Sequence, residues 1–297
     1  MGRDLILYFD GGAMCGIFGG GIVGKLEQAN IYPRIKAIYA GSAGAFNAAY
    51  FLARQTTEGR FVYFDYLSKD FLNFNNFLPG IIQRIINRVH PLPHDKILNV
   101  MDVDYTIDVV KNKIPLNANY IKNQPIPLYI KVLNLKTKKT EYLLDKNFDI
   151  FKLLRASACM APYTFKKQKI NEDFYIDGTI KDPVGLKKLI DKYPRHKILY
   201  ISNNKTDLKF RHSAKSLFEG MVAGIMYGKE FLSMFLERDK KMRKDISLAQ
   251  TNPNILSFHA PKNNPTNIKT RDRKTLEKTY QLGLEEGEKI VNIINNL

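Results

Sequence analysis

Two apolar runs, each closing on glycine and leading into a helix-forming stretch, fill the first 54 residues and limit the fold more than anything after them. Leu5 to Phe9 ends at Asp10-Gly-Gly, and Gly16 to Ala29 follows with helical character. Ile35 to Ala40 ends at Gly41-Ser42-Ala43-Gly44, and Ala45 to Arg54 is rich in helix formers with an apolar face. Strand then helix, twice over, predicts a parallel sheet in an α/β protein, because parallel neighbours need a crossover and a helix is the usual one. Further strands are expected at Leu128 to Leu133, Glu141 to Leu144, Phe174 to Ile176 and Lys197 to Ser202, with a helix over Phe148 to Ala158 that stops near Pro162. Phe61 to Asn119 is less regular: a dense aromatic stretch (Phe61 to Phe77) precedes a helix over Gly80 to Val89. Beyond Ser202 the pattern is helical, over Ser213 to Lys244 and Arg271 to Asn296, with a strand at Ile255 to His259 between them. This divides the chain into a core of residues 1–202 and a mainly helical extension, 203–297, packed on it.

The 297 residues are 44% hydrophobic, enough for a full core, which excludes a disordered chain. A net charge of +17 suits an anionic partner, lipid headgroups or nucleic acid, without choosing between them. The abundance of Lys, Asn and Ile also fits nucleotide bias in the gene, which weakens that argument. Two cysteines, Cys15 and Cys159, are too few for a disulfide framework and fit a reducing compartment. The start runs straight into an apolar strand without a secretory signal pattern, so a cytoplasmic location is expected. The longest uncharged stretch, Ala37 to Ala53, carries Gly41, Ser42, Gly44 and Asn47, and reads as strand, turn and helix rather than a membrane span.

Three places carry chemistry. Asp10-Gly11-Gly12-Ala13-Met14-Cys15-Gly16 is a glycine-rich loop before a helix, a nest of N–H groups suited to a phosphate or to the oxyanion of an acyl intermediate. Ala40-Gly41-Ser42-Ala43-Gly44 has the small neighbours that a serine in a strained strand-to-helix turn needs. Phe174 to Thr179 is an apolar strand closing on Asp177-Gly178, where a carboxylate can accept a serine proton. Each has an idle reading as a packing or turn element. A literal G-x-G-x-x-G at Gly19, Gly21 and Gly24 lies about ten residues beyond the strand, inside the helix, and is read as helix-to-sheet packing rather than a dinucleotide site.

Taken in order on successive elements, the three resemble the patatin-like phospholipase family, specifically its bacterial members. Their pattern is a D-G-G-G-x-R-G oxyanion loop, a G-x-S-x-G elbow one βα unit later, and a D-G-G or D-G-A motif bearing the aspartate of a Ser-Asp dyad. Arg155 to Pro162 also resembles the family's segment shortly before that aspartate. The resemblance covers about residues 5 to 202 and implies a three-layer α/β/α fold with a mainly parallel central sheet. It implies a serine lipid acyl hydrolase in which Asp177 deprotonates Ser42, N–H groups around Gly11, Gly12 and Ala13 hold the oxyanion, and Ala40, Gly41, Ala43 and Gly44 shape the elbow. No cofactor or metal is called for. Ala13 replaces the third loop glycine, Cys15 the arginine, Ala40 the first elbow glycine, and Thr179 follows Asp-Gly. Ala13 fits that loop if its φ is negative.

Other readings stay open at this stage. The same dyad serves an acyltransferase, and a catalytically silent lipid-binding or protein-interaction module keeps the fold without the chemistry. His196, His212 and His259 follow Asp177 in the order a Ser-His-Asp triad requires, although Ser42 comes early for that fold. Cys15 at a helix start is an alternative nucleophile without an evident base. His90 and His94 lack a carboxylate-rich setting for a metal. Basic clusters at Lys136 to Lys139, Lys166 to Lys169 and Arg238 to Lys244 make an anionic membrane surface a candidate partner, whereas no nucleic-acid motif accompanies them.

Overall fold

The structure is a computed structural model that describes residues 2–86, 98–205 and 214–297. β1 (Leu5–Phe9) and β2 (Ile35–Ala40) form where the sequence predicts them. Strands covered on both faces read as unbroken apolar runs, and every residue of β1 is buried. Six more strands complete one sheet: β3 (Leu128–Asn134), β4 (Thr140–Leu144), β5 (Gln168–Ile170), β6 (Asp173–Asp177), β7 (Lys197–Lys205) and β8 (Ile255–Ala260). Their hydrogen-bonded order is β5-β6-β3-β2-β1-β7-β8, with β4 also pairing β3. The run from β3 through β2, β1 and β7 to β8 is parallel, β4 and β6 each pair antiparallel with β3, and β5 pairs antiparallel with β6.

α1 (Gly16–Gln28) and α2 (Ala43–Leu52) carry the chain back from β1 and β2. Between β2 and β3 lie α3 (Thr56–Phe61), α4 (Ser68–Asp70), α5 (Phe77–Ile86), α6 (Val103–Asp108) and α7 (Ala118–Asn123). α8 (Ile150–Ala158) follows β4, α9 (Leu186–Lys192) precedes β7, and α10 (Ala214–Tyr227), α11 (Glu230–Thr251) and α12 (Arg273–Asn295) close the chain. Alternate residues of β1 serve two cores. Leu5, Leu7 and Phe9 join the larger one with residues of α1, α2, α8 and α12, while Ile6 and Tyr8 join a smaller one with Leu186, Leu189 and Ala249 of α9 and α11. The result is a three-layer α/β/α architecture.

Several expectations change. The helix expected over Ser213 to Lys244 is two, broken where Gly228 takes a φ of 113°. The short β5 has no apolar run to announce it. α5 starts at Phe77, ahead of the expected Gly80; residues 87–89, Ser213, His90, His94 and His212 lie outside the described residues. Gly21 and Gly24 of α1 pack against α12 rather than the sheet. A Cβ on Gly21 would sit 2.2 Å from the Tyr280 carbonyl oxygen, and one on Gly283 would sit 2.1 Å from that of Phe18, so the two helices touch backbone to backbone.

The pairing of β3 positions the site. Ile130 pairs with Ala40 on one side and Leu143 of β4 on the other; Val132 pairs with Asp177 and with Glu141 of β4. β4 therefore runs along one side of β3, and β2 and β6 share the other, end to end. Ser42 lies two residues past Ala40, just as Val132 lies two past Ile130. Both Ser42 and Asp177 are thereby brought to the same level of the sheet, at the carboxyl ends of the parallel strands.

Candidate active site

Ser42 has φ 52° and ψ −129°, a backbone conformation that a residue with a side chain holds only when its surroundings impose it. The surroundings do. Gly41 N–H donates to the Phe9 carbonyl at 3.1 Å, and Ser42 N–H donates to Ser157 Oγ at 2.8 Å. Ser157 Oγ donates onward to the Lys131 carbonyl at 2.9 Å. Ala40 is the buried end of β2, Ala43 opens α2, and Gly44 faces the strand so closely that a Cβ would lie 2.5 Å from the Asp10 carbonyl oxygen.

The glycine loop rests on the serine, because a Cβ on Gly11 would meet Ser42 Cβ at 2.9 Å. Gly12 takes φ 143°, and Ala13 takes φ 47° rather than a negative value. The alanine therefore occupies the left-handed conformation that glycine adopts freely, at a cost of roughly 1–2 kcal/mol for an L-residue. Gly11 N–H is not aimed into the nest: it donates to Asp10 Oδ1 at 2.8 Å. Among the described residues, the N–H groups of Gly12 and Ala13 have no such partner. The loop is fixed from behind by Asn203, which donates to the carbonyls of Asp10 and Gly11 at 2.8 and 3.1 Å and accepts from Gly19 N–H at 2.9 Å.

Asp177 is fully buried. Its Oδ1 accepts from Thr179 N–H at 2.8 Å and Thr179 Oγ1 at 2.7 Å, while its Oδ2 is buried without a hydrogen-bond partner. Burial pushes the carboxyl up to about 6; Thr179, Lys131 and the Ser42 hydroxyl oppose that shift. The threonine that departs from the family pattern thus supplies an orienting hydrogen bond.

Lys131 was not singled out by the sequence reading. It is fully buried, and its Nζ reaches Tyr8 Oη at 2.6 Å and the carbonyls of Asp182 and Pro183, each at 2.9 Å. Burial lowers its pKa, against the pull of Asp182, Asp10 and Asp177. Its stem runs beneath the site, 3.1 Å from where a Cβ on Gly41 would be and 2.7 Å from one on Gly178. A lysine amid Leu-Tyr-Ile-Lys-Val-Leu was the available signal. Nothing comparable announces Ser157 or Asn203.

The rival nucleophile and bases are placed elsewhere. Cys15 is buried, its thiol pushed up to about 11, mainly by burial, so it stays a neutral thiol. His259 lies on β8, paired with Ser202 of β7, three strands from β2 and hence about 14 Å away at ~4.8 Å per strand. His196 precedes the β7 residue that pairs with Leu5, so it lies at the opposite end of the strands from Ser42. Among the described residues no group of His, Cys, Asp and Glu has metal-holding geometry, and no helix is long and apolar enough to cross a membrane.

A cavity of about 40 Å³ opens beside Ser42, lined by Ala13, Phe46, Tyr50, Leu67, Phe71 and Met101 among others. It is almost wholly apolar and far below the roughly 300–1,000 Å³ of a ligand pocket.

A family model for patatin-like phospholipase matches residues 7–190. The chain belongs to the patatin-like phospholipase family. Membership makes it a lipase-type hydrolase by family. The patatin-like fold is shared with the crystal structure of VipD from Legionella pneumophila, at a TM-score of 0.53 and 12% identity over 98% of this chain and 67% of VipD. The type III effector protein ExoU aligns over 97% of this chain and 53% of its own, at 10% identity and a TM-score of 0.38, too low to bear on the fold. The chain thus spans about two thirds of VipD and about half of ExoU. No curated protein matches it.

Proposed function

We propose that this patatin-like protein is a serine lipid acyl hydrolase of the phospholipase A or lysophospholipase type, working through a Ser42-Asp177 dyad. The observation that carries the proposal is the convergence of three features. Ser42 is held at a strained φ, a buried carboxylate has one oxygen, Asp177 Oδ2, without a partner, and an apolar cavity opens beside Ser42. Ser42 Oγ attacks the ester carbonyl carbon as its proton passes to Asp177. The N–H groups of Gly12 and Ala13 take the oxyanion, and Gly11 stiffens the loop through Asp10. Collapse expels the alcohol, which recovers the proton from Asp177 and leaves an acyl-serine. A water deprotonated by Asp177 then releases the fatty acid and restores Ser42. The catalytic core expected over residues 1–202 also draws on 203–297, which supplies Asn203 behind the glycine loop and β8 to the sheet, and the buried free thiols of Cys15 and Cys159 suit a reducing cytoplasm.

An acyl chain must displace cavity walls such as Leu67, Phe71 and Met101 to enter. Ser42 combines φ 52° with ψ −129°, outside the left-handed well that ordinary turns use, and keeping that strain argues against a silent module. Acyl transfer differs only in the acceptor that replaces water. The test is mass mapping after fluorophosphonate treatment: an adduct on Ser42, absent in Ser42→Ala and strongly slowed in Asp177→Asn, is expected. Folded wild type that takes no adduct, free or on lipid vesicles, would overturn the proposal.

A further inference from the structure

α5 and α10 leave large apolar side chains in water. On α5, Leu78, Ile82, Ile85 and Ile86 are 46–65% exposed, at the spacing of one helical face. On α10, Leu217, Phe218, Met221 and Ile225 are 40–45% exposed, again on one face. The two helices are neighbours: the Phe77 and Phe218 rings lie 5.8 Å apart, and Phe77 also lies 6.1 Å from Tyr163, which bonds Glu219. Soluble monomers rarely leave a contiguous patch of this kind uncovered. Neither helix turns a carboxylate outward. α5 contains none, and Glu219 of α10 is buried against Tyr163 and Arg238.

Two further features identify the partner. A groove of about 490 Å³ adjoins α5, lined by Arg84, Arg155, Lys166, Lys167 and Lys169 against the single carboxylate of Asp104, which Arg155 and Lys166 already occupy. Gly80 of α5 packs directly on Phe165, a wall of this groove. The chain entering α5 also comes directly from the wall of the catalytic cavity. Phe71 and Met101 line that cavity, Leu72 bridges to Met101, and Asn73 N–H donates to the Val100 carbonyl at 2.8 Å, just ahead of α5.

We infer that the α5–α10 face docks into a lipid bilayer, with the Arg84–Lys167–Lys169 groove set against anionic headgroups. The inference rests on the lipid-hydrolase reading, since it supplies the form in which the substrate reaches Ser42. An apolar protein partner would leave the basic groove unanswered. A second copy seated on the apolar face would offer the groove no carboxylate from either helix, since neither turns one outward. A bilayer satisfies both features, because acyl chains accept the helices and anionic headgroups the cations.

The chain has no tryptophan, so one introduced tryptophan is an unambiguous depth reporter. In a Ser42→Ala background, Ile82→Trp and Phe218→Trp are expected to be quenched by vesicles of phosphatidylcholine and phosphatidylserine with brominated chains, whereas Ile293→Trp on α12 is not. Ile82→Gln with Met221→Gln, in an otherwise wild-type chain, should weaken vesicle binding about tenfold or more while leaving hydrolysis of a soluble short-chain ester unchanged. The inference falls if both tryptophans stay unquenched, if the double glutamine variant binds vesicles normally, or if Ile82→Gln instead abolishes a concentration-dependent dimer. Quenching in a protein whose wild type neither labels nor hydrolyses the soluble ester would remove the hydrolase reading and leave the docking surface standing.

Discussion

The elbow on β2 is held largely by backbone and the glycine loop on β1 by backbone with Asn203 and Asp10 behind it, whereas Asp177 on β6 is held by register and by side chains from distant segments. Ser42 keeps its φ of 52° through main-chain contacts of Gly41 and Gly44, with Ser157 as the added side chain. Asp177 meets it because β6 abuts the end of β2 along β3, and its charge depends on Thr179 and Lys131. A backbone device tolerates changes of side chain as long as they stay small, which is why Ala40 can stand where relatives have glycine. An electrostatic device does not: changing one partner moves the pKa of the other. The two halves of this patatin-like site should therefore respond differently to substitution.

The largest effect is expected at the electrostatic half. Asp177→Asn should lower kcat by about 10²- to 10⁴-fold, the usual worth of a general base. Its stability should move the other way. Burial raises this carboxyl from 3.8 to about 6, so the ionised group weakens folding fully above pH 6, and that cost is relieved as the pH falls through the folded value toward 4. The amide carries no such charge, and thermal unfolding at pH 8 should show Asp177→Asn at least as stable as wild type. A variant both inactive and strongly destabilised would mean that Asp177 serves the fold rather than the chemistry. In the wild type the same raised pKa predicts a rate that drops as pH falls through about 6.

Lys131 is the next point of attack. Lys131→Met leaves Tyr8 Oη and the Asp182 and Pro183 carbonyls without their donor, and should cost about 3–5 kcal/mol in urea unfolding, as expected for breaking a buried ionic cluster. The informative readout is the pH profile. Lys131 holds the Asp177 carboxyl down, so its removal should move the acid limb of kcat/KM to higher pH. An unmoved limb in protein that still folds would show that Lys131 supports structure alone, and the contrast between the two halves would lose its electrostatic side.

Legibility from the sequence follows the same division. β1 and β2 are identified to the residue because β1 is wholly apolar and buried and β2 is apolar and buried but for the exposed Lys36, and the loop and elbow because tight backbone turns admit only small residues. The meeting of Ser42 with Asp177 rests on a non-local register, Val132 against Asp177, that no local pattern encodes. Lys131 looks like an interruption in an apolar strand until Asp10, Asp177 and Asp182 surround it. The sign of φ at Ala13 was likewise invisible, since alanine reports a small residue and not the hand of its backbone.

Ala13 gives the smallest predicted effect and the cleanest comparison. If backbone alone sets the loop, Ala13→Gly should keep the conformation while removing the Cβ strain of φ 47°, roughly 1–2 kcal/mol. Glycine loses about 0.4–1 kcal/mol more through its freer unfolded chain. The net should be a gain of up to about 1.5 kcal/mol in urea unfolding, with kcat within about threefold of wild type, because the Ala13 N–H already points where the glycine's would. A fall in stability would mean that the alanine does not hold φ 47° in solution. A tenfold rise in kcat with unchanged KM would mean that the alanine displaces the N–H from the developing oxyanion, and then side chains, not backbone alone, would tune this half of the site as well.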